Sequence, residues 1–308
     1  MTIITFPGQG SQKPGFLSPW LATPESRDKL AQLSDAVGVD LVRHGTESDA
    51  ETIRDTAVAQ PLIVAAGILT WDALVASGAD LADAEVAGHS VGEVAAAYAA
   101  GVFDAATALA FVKRRATLMA EDAARETTGM SAVLGGDEAA VLARLEELGL
   151  EPANFNGGGQ IVAAGAPDAL EQLRAEPAKG TRVIPLKVAG AFHTRYMATA
   201  HDQLAASAAE VATSDPQRGL YTNFDGSRVE SGARYLELLI DQVNRPVRWD
   251  ACMAAFVEAG HTTLVEAAPA GTLVGLAKRG MKGTTGIAVN VPEDIDAVVA
   301  ALSGEDAA

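Results

Sequence analysis

The stretch EVAGHSVGEVAAAYAAG, Glu85 to Gly101, sets a short apolar run against an alanine-rich helical run with one tight turn between them. A chain that passes this abruptly from strand to helix needs small residues at the turn. Gly88 and Gly92 bracket Ser90 as G-x-S-x-G, the nucleophile-elbow arrangement. The helix that follows aims its N-terminal amides and positive dipole end at the serine oxygen. The amide of Val91 is placed to stabilise an oxyanion. The same residues also suit a serine N-cap on a buried helix, so the motif alone leaves two readings open.

Around this turn the chain alternates strand and helix, which favours a parallel α/β sheet. TIITF is a β-branched apolar strand ended by the loop PGQGSQKPG. That loop lacks the Gly-Lys-Ser/Thr of a phosphate loop and the third glycine of a dinucleotide fingerprint. Helices are expected over PESRDKLAQLSDAVG, over TAVAQPLIVAAGILTWDALVASG with Gly78 as its stop, and over DAATALAFVKRRATLMAEDAA. From about residue 128 the order becomes strand GMSAVLGG, helix DEAAVLARLEELG, the strand-turn-strand PANFNGGGQIVAAG, helix APDALEQLRAE and strand TRVIPLKVAGAF. This β-α-β-β-α-β order is ferredoxin-like. It reads as a small domain, 128–192, inserted into a larger one made of 1–127 and 193–308. A helix RYMATAHDQLAASAAEV, a strand LYTNF, further helix, a strand TTLVEAAP, a helix GTLVGLAKRG and a frayed acidic tail SGEDAA complete the expectation.

The 308 residues carry a net charge of −17. That argues against nucleic acid or an anionic membrane as partner. One cysteine, Cys252, excludes an internal disulfide and a zinc site of two or more thiolates. MTIITFPGQG lacks the pattern of a signal peptide. AVAQPLIVAAGILTW reads as too short for a membrane span and carries Gln60-Pro61, so a buried helix is expected. A cytoplasmic location follows as an expectation.

A serine nucleophile needs a base, and the chain has five histidines. His89 adjoins Ser90, so its side chain should point elsewhere, to orient or to pack. His44 and His261 lie in polar stretches and read as surface residues, and His201 as a helix-surface residue. His193 falls at a strand-to-helix junction between the two domains, where a base or a satisfied junction histidine would both fit. Arg115 lies in ALAFVKRRATLMA, where three successive basic residues cannot share one helix face. One must point inward and needs an anion, either an internal carboxylate or a substrate carboxylate held bidentately.

FPGQGSQ, AGHSVGE, KRRATLM, NFNGGGQIVAAG, GAFHT and NRPVRWD together resemble the malonyl-CoA:acyl-carrier-protein transacylases, over nearly the whole chain. The resemblance implies an α/β-hydrolase-like large subdomain with a ferredoxin-like insertion. It implies Ser90 as nucleophile and His193 as base, a dyad without a carboxylate. It places the carbonyl that orients the base near Arg248, where many bacterial members have glutamine. Gln9 and Val91 would form the oxyanion hole through their amides. Arg115 would clamp the malonyl carboxylate, with Met119, Asn154, Asn156 and Phe192 lining the substrate site. Phe192 matches a position that accompanies malonyl rather than methylmalonyl, although a plain core aromatic would fit there too. No cofactor is implied; malonyl-CoA and acyl carrier protein are the implied partners, and the family is usually monomeric. Lys187, Arg195, Lys278 and Arg279 are the candidate local basic patch for an acidic carrier protein. A serine hydrolase with His261 as its late histidine, and an inactive docking subunit, are the alternatives from other classes.

Overall fold

The computed structural model describes residues 1–303; the expected fraying of the acidic tail concerns 304–308, outside the described residues. In chain order the elements are β1 (Thr2–Phe6), α1 (Pro24–Val37), α2 (Leu41–Thr46), α3 (Thr56–Ala76), β2 (Glu85–Gly88), α4 (Gly92–Ala99) and α5 (Ala105–Arg125). There follow β3 (Gly129–Gly135), α6 (Glu138–Glu147), β4 (Glu151–Gly157), β5 (Gln160–Gly165), α7 (Pro167–Ala175) and β6 (Thr181–Pro185). The chain closes with α8 (Ala198–Ala206), α9 (Gly232–Asp241), β7 (Val247–Arg248), α10 (Trp249–Glu258), β8 (Thr263–Glu266), α11 (Thr272–Gly280), β9 (Thr285–Ala288) and α12 (Ile295–Ser303).

The larger subdomain is built on a four-stranded parallel sheet in the order β2-β1-β8-β9. Alternation along β1 sends Ile4 and Phe6 into the core shared with α3, α4 and α5, while Ile3 joins Trp249, Phe256 and Leu273 on the opposite face. Both faces are therefore covered by helices, as a parallel sheet requires. Helix α3 runs 21 residues, longer than the apolar stretch suggests, and is long and apolar enough to cross a membrane. Most of its side chains are instead buried in this core.

The second sheet has the order β6-β3-β5-β4-β7. Its first four strands are antiparallel, and α6 and α7 share a core with them through Val141, Leu145, Leu170 and Leu173. This is the ferredoxin-like arrangement. β7 was not foreseen: it comes from the larger subdomain and adds parallel to β4, pairing Asn154 with Val247 and Phe155 with Arg248.

Three local expectations are corrected. The strand expected over TRVIPLKVAGAF stops at Pro185, because the segment leaves the sheet to reach the turn at His193. LYTNF is not a strand: Leu220 and Tyr221 make only isolated bridges, to Val86 and Arg228. β9 and α12 form where no element was expected.

Candidate active site

Ser90 follows β2 and precedes α4, with φ 53°. His193 has φ 63°, and among the described residues these two are the only non-glycine residues with positive φ. Each such conformation costs about 1–3 kcal/mol and persists only where neighbours over-determine it. At Ser90 the neighbours are close. A Cβ on Gly88 would lie 2.0 Å from the carbonyl carbon of Gly92, and one on Gly92 would lie 2.1 Å from the carbonyl oxygen of Phe6. The Ser90 amide donates to Asn223 Oδ1 at 2.8 Å, and Asn223 Nδ2 donates to the Gly88 carbonyl at 2.7 Å. The N-cap alternative is not met: α4 has Val91 at its cap and no side-chain cap bond.

Ser90 Oγ lies 2.7 Å from His193 Nε2, and His193 Nδ1 lies 2.7 Å from the main-chain carbonyl of Gln242. A carbonyl only accepts, so Nδ1 carries the hydrogen and Nε2 is free to accept the serine proton. Burial pushes the His193 pKa down to about 3, helped by the Arg115 charge and opposed by the Gln242 carbonyl. The ring is thus neutral at physiological pH.

The base-orienting carbonyl is a correction. It belongs to Gln242, six positions before Arg248 in the chain. Arg248 instead donates from Nε and Nη2 to Asp250 at 2.9 and 2.8 Å, and stacks over Phe155 at 4.7 Å. Its amide donates to the Asn223 carbonyl at 2.8 Å. Arg248 therefore joins β4 to β7, and its side chain bonds Asp250 and not His193.

Ser90 and His193 line a cavity of about 250 Å³ together with Gln9, Val91, Met119, Asn154, Asn156 and Phe192. Among the described residues, the amides of Gln9 and Val91 donate to no acceptor of the chain. The Gln9 side chain turns away, toward the Arg54 carbonyl and Thr56 Oγ1. Asn156 Oδ1 accepts from His89 Nε2 at 2.9 Å, and the His89 ring meets Trp249 edge-on at 5.6 Å. His89 thus orients an asparagine of the small subdomain and packs.

Arg115 is 1% exposed. It donates from Nη1 to Gln60 Oε1 at 2.5 Å and from Nη2 to Gln242 Oε1 at 2.8 Å, and its Nε has no partner. It makes no ion pair among the described residues; Glu93 acts on it only through the electrostatic field. Burial lowers its pKa to about 10, so it stays charged. Arg115 does not itself line the cavity; its partner Gln60 does, and Gln60 Nε2 donates to the sulfur of the lining residue Met119 at 3.5 Å.

His261 is a second correction. It is 3% exposed, not a surface residue, and its Nε2 lies 2.7 Å from Glu85 Oε2. Tyr221 and Arg228 donate to the same carboxylate. Glu85 begins β2 and Ser90 lies beyond its other end, so His261 stands at the end of the strand away from Ser90. His201 lies between Asp202 and Asp241, partly exposed on α8, and His44 bonds Ser48.

Four site residues escaped the sequence reading: Gln60, Glu93, Asn223 and Gln242. Gln60 and Glu93 show only as polar side chains inside the apolar stretches AVAQPLIV and GEVAAAYA, and Asn223 and Gln242 carry no local signal. Burial pushes the Glu93 pKa up to about 8, opposed by the Asn223 amide and by Arg115.

Comparison with known proteins agrees with this geometry. Residues 4–300 match the acyl transferase domain. The malonyl CoA-acyl carrier protein transacylase of Mycobacterium tuberculosis is 51% identical over 300 residues, covering 96% of this chain and 98% of that protein. The crystal structure of the Mycobacterium tuberculosis enzyme superposes with a TM-score of 0.93 at 50% identity, covering 97% of this chain and 99% of that one. A malonyl-transacylase solved in complex with its type II polyketide acyl-carrier protein superposes at 0.91 and 31% identity, covering 99% of each. With an elbow serine, a facing histidine and this likeness along its whole length, the chain is an acyltransferase and belongs to the malonyl CoA-acyl carrier protein transacylase family.

Proposed function

We propose that the chain moves a malonyl group from malonyl-CoA to the phosphopantetheine thiol of an acyl carrier protein, through malonyl-Ser90 and ping-pong kinetics. The observation that carries this reading is the line Ser90 Oγ, His193, Gln242 carbonyl, with its two 2.7 Å contacts, and a buried arginine that donates to Gln242 and makes no ion pair among the described residues. Nε2 takes the serine proton as Oγ attacks the thioester carbon. The oxyanion is held by the amides of Gln9 and Val91. Collapse expels the coenzyme A thiolate, which takes the proton from the imidazolium. The carrier thiol then gives its proton to Nε2 as its sulfur attacks the ester, and the departing Ser90 Oγ recovers that proton. The Gln242 carbonyl supports the transient imidazolium where a triad would place a carboxylate. The relatives' names and the carrier-protein complex support the same partners. In this reading the enzyme works as a cytoplasmic monomer and feeds fatty acid or polyketide extension. Malonyl-CoA alone should release one equivalent of coenzyme A and leave a malonyl adduct on Ser90 by intact mass. Sustained release without carrier would mean a hydrolase.

Phe192 is 6% exposed and lines the cavity beside His193. Its ring would occupy the space that the α-methyl of methylmalonyl needs. Wild type is expected to prefer malonyl by roughly 10–200-fold, the usual worth of one methyl in a shaped site. Phe192→Ser should narrow that ratio, mainly by lowering malonyl turnover. The check is kcat/KM for both thioesters in both proteins; a folded variant with the wild-type ratio would make Phe192 a packing residue only.

Carrier docking is expected to use exposed cations near the cavity mouth. Lys278 and Arg279 end α11, whose Thr272, Leu273 and Leu276 line the cavity, and Lys187 lies between the lining residues Leu186 and Val188. Arg195 is already paired with Glu151. Charge reversal at Lys187, Lys278 or Arg279 should raise KM for the carrier and leave coenzyme A release unchanged, with a smaller effect at Arg195. Four unaltered KM values would remove the patch.

A further inference from the structure

The Glu93 carboxyl touches neither member of the dyad, although the Glu93 amide donates to the Ser90 carbonyl at 3.0 Å. One oxygen, Oε1, accepts from the amide of Asn223 at 2.7 Å; the other accepts from Gln242 Nε2. Asn223 is the residue whose Oδ1 holds the Ser90 amide, and Gln242 the one whose carbonyl holds His193 Nδ1. The carboxyl is 1% exposed. We propose that Glu93 is a positioning residue that sets Ser90 and His193 in register, acting through Asn223 on the nucleophile and through Gln242 on the base. The inference rests on the reading of Ser90 and His193 as nucleophile and base.

The hydrogen-bond pattern selects glutamate over its amide. Arg115 Nη2 donates to Gln242 Oε1, which fixes the amide so that Nε2 points at Glu93. The Asn223 amide and Gln242 Nε2 are both N–H donors, so both carboxyl oxygens accept, and the Thr222 and Tyr235 hydroxyls also face the group. Burial draws the side chain toward its neutral form while the Asn223 amide and the Arg115 charge draw it back. A glutamine in place of Glu93 offers one acceptor and one donor. Its NH2 would meet either Gln242 Nε2 or the Asn223 amide head-on, and turning the Gln242 amide to relieve the first clash would set an N–H toward the Arg115 guanidinium. Either way the Gln242 or the Asn223 segment moves, and with it the group that aims His193 or holds Ser90. Buried polar groups left without partners are costly enough to force such a shift.

The test reads the dyad without using Arg115. An uncharged alkyl fluorophosphonate labels Ser90 by attack of Oγ on phosphorus with loss of fluoride, so its rate reports serine activation alone. Wild type should label at Ser90 by intact mass and Ser90→Ala should not; a wild type that fails to label would bring down the nucleophile reading and this inference together. Glu93→Gln is expected to keep its Tm within about 3 °C and to label at least about tenfold more slowly. The exchange Glu93→Gln with Gln242→Glu restores the pairing between positions 93 and 242 and gives up the longer contacts of Gln242 Nε2 to the Ser90 carbonyl at 3.3 Å and to Asn223 Oδ1 at 3.2 Å. The new amide can accept from Asn223 and donate to the new carboxylate, which also accepts from Arg115. The exchange should recover most of the lost rate. A folded Glu93→Gln protein labelling at the wild-type rate would overturn the proposal, as would an exchange variant no faster than the single one. If Glu93→Gln does not fold, the exchange variant decides: labelling within about tenfold of wild type supports the pairing, and slower labelling overturns it.

Discussion

Ser90→Ala is expected to abolish the malonyl-enzyme adduct, and His193→Ala to slow its formation by roughly 10²–10⁴-fold, the range that a general base supplies. The two outcomes differ because the groups do different work. Without Oγ no ester can form. Without the imidazole, Oγ remains on its strained turn with the Gln9 and Val91 amides in place, so a slow acylation persists. The measurement is the adduct by intact mass and the burst of coenzyme A release by rapid quench. The same burial that isolates the base sets its pH profile. A pKa lowered to about 3 means that His193 stays neutral as pH falls through the ordinary imidazole value of about 6.5. The acid limb of acylation should therefore lie well below pH 6.5. Below the unfolded value the unfolded chain binds a proton that the buried ring refuses, so stability falls with pH over the same window. Acylation that halves near pH 6.5, or His261→Ala and His201→Ala variants as damaged as His193→Ala, would count against the dyad.

Much of this site is legible in the sequence because its chemistry is tied to local backbone form. Ser90 declares itself through glycines whose absent Cβ atoms leave room for a turn, a constraint that spans five residues. The small subdomain declares itself through the order of its elements, since each strand and helix carries its own periodicity. What is not legible is held by distant contacts. Glu93 meets Asn223 130 positions away and Gln242 149 positions away. No local pattern marks those partners, and a glutamine after LLID looks like any helix end. The orienting carbonyl was expected near Arg248 for the same reason: a main-chain acceptor has no side-chain signature. His261 misleads in the opposite direction. Its neighbours in AGHTT are small and polar, yet Phe256, Tyr221 and Glu85 close over it in three dimensions. LYTNF has strand composition but makes only isolated bridges, Leu220 to Val86 and Tyr221 to Arg228, while Asn223 turns its side chain to the Ser90 amide.

Arg115→Ala is expected to cut kcat/KM for malonyl-CoA by roughly 10²-fold or more while changing acetyl-CoA little. The estimate follows from two charge-assisted hydrogen bonds at about 1.5–3 kcal/mol each, discounted because the guanidinium must first give up a neutral partner. In the free protein those partners are the amide oxygens of Gln60 and Gln242, and Nε has none. The sequence left open an internal carboxylate as the anion; no carboxylate pairs with Arg115 among the described residues. Acetyl brings no carboxylate, and with acetyl the guanidinium stays as it is in the free protein, so its loss should matter little. One route could blur this contrast. Removing Arg115 also frees Gln242 Oε1, and Gln242 carries the carbonyl that aims His193. Damage through that route would reach every substrate equally, and it would also slow labelling by an uncharged fluorophosphonate. Three rates on one variant therefore separate the roles. Malonyl transfer lost, with acetyl transfer and labelling retained, assigns Arg115 to the substrate carboxylate. Equal losses in all three would make it a brace for Gln242 and leave malonyl selectivity to the shape of the cavity.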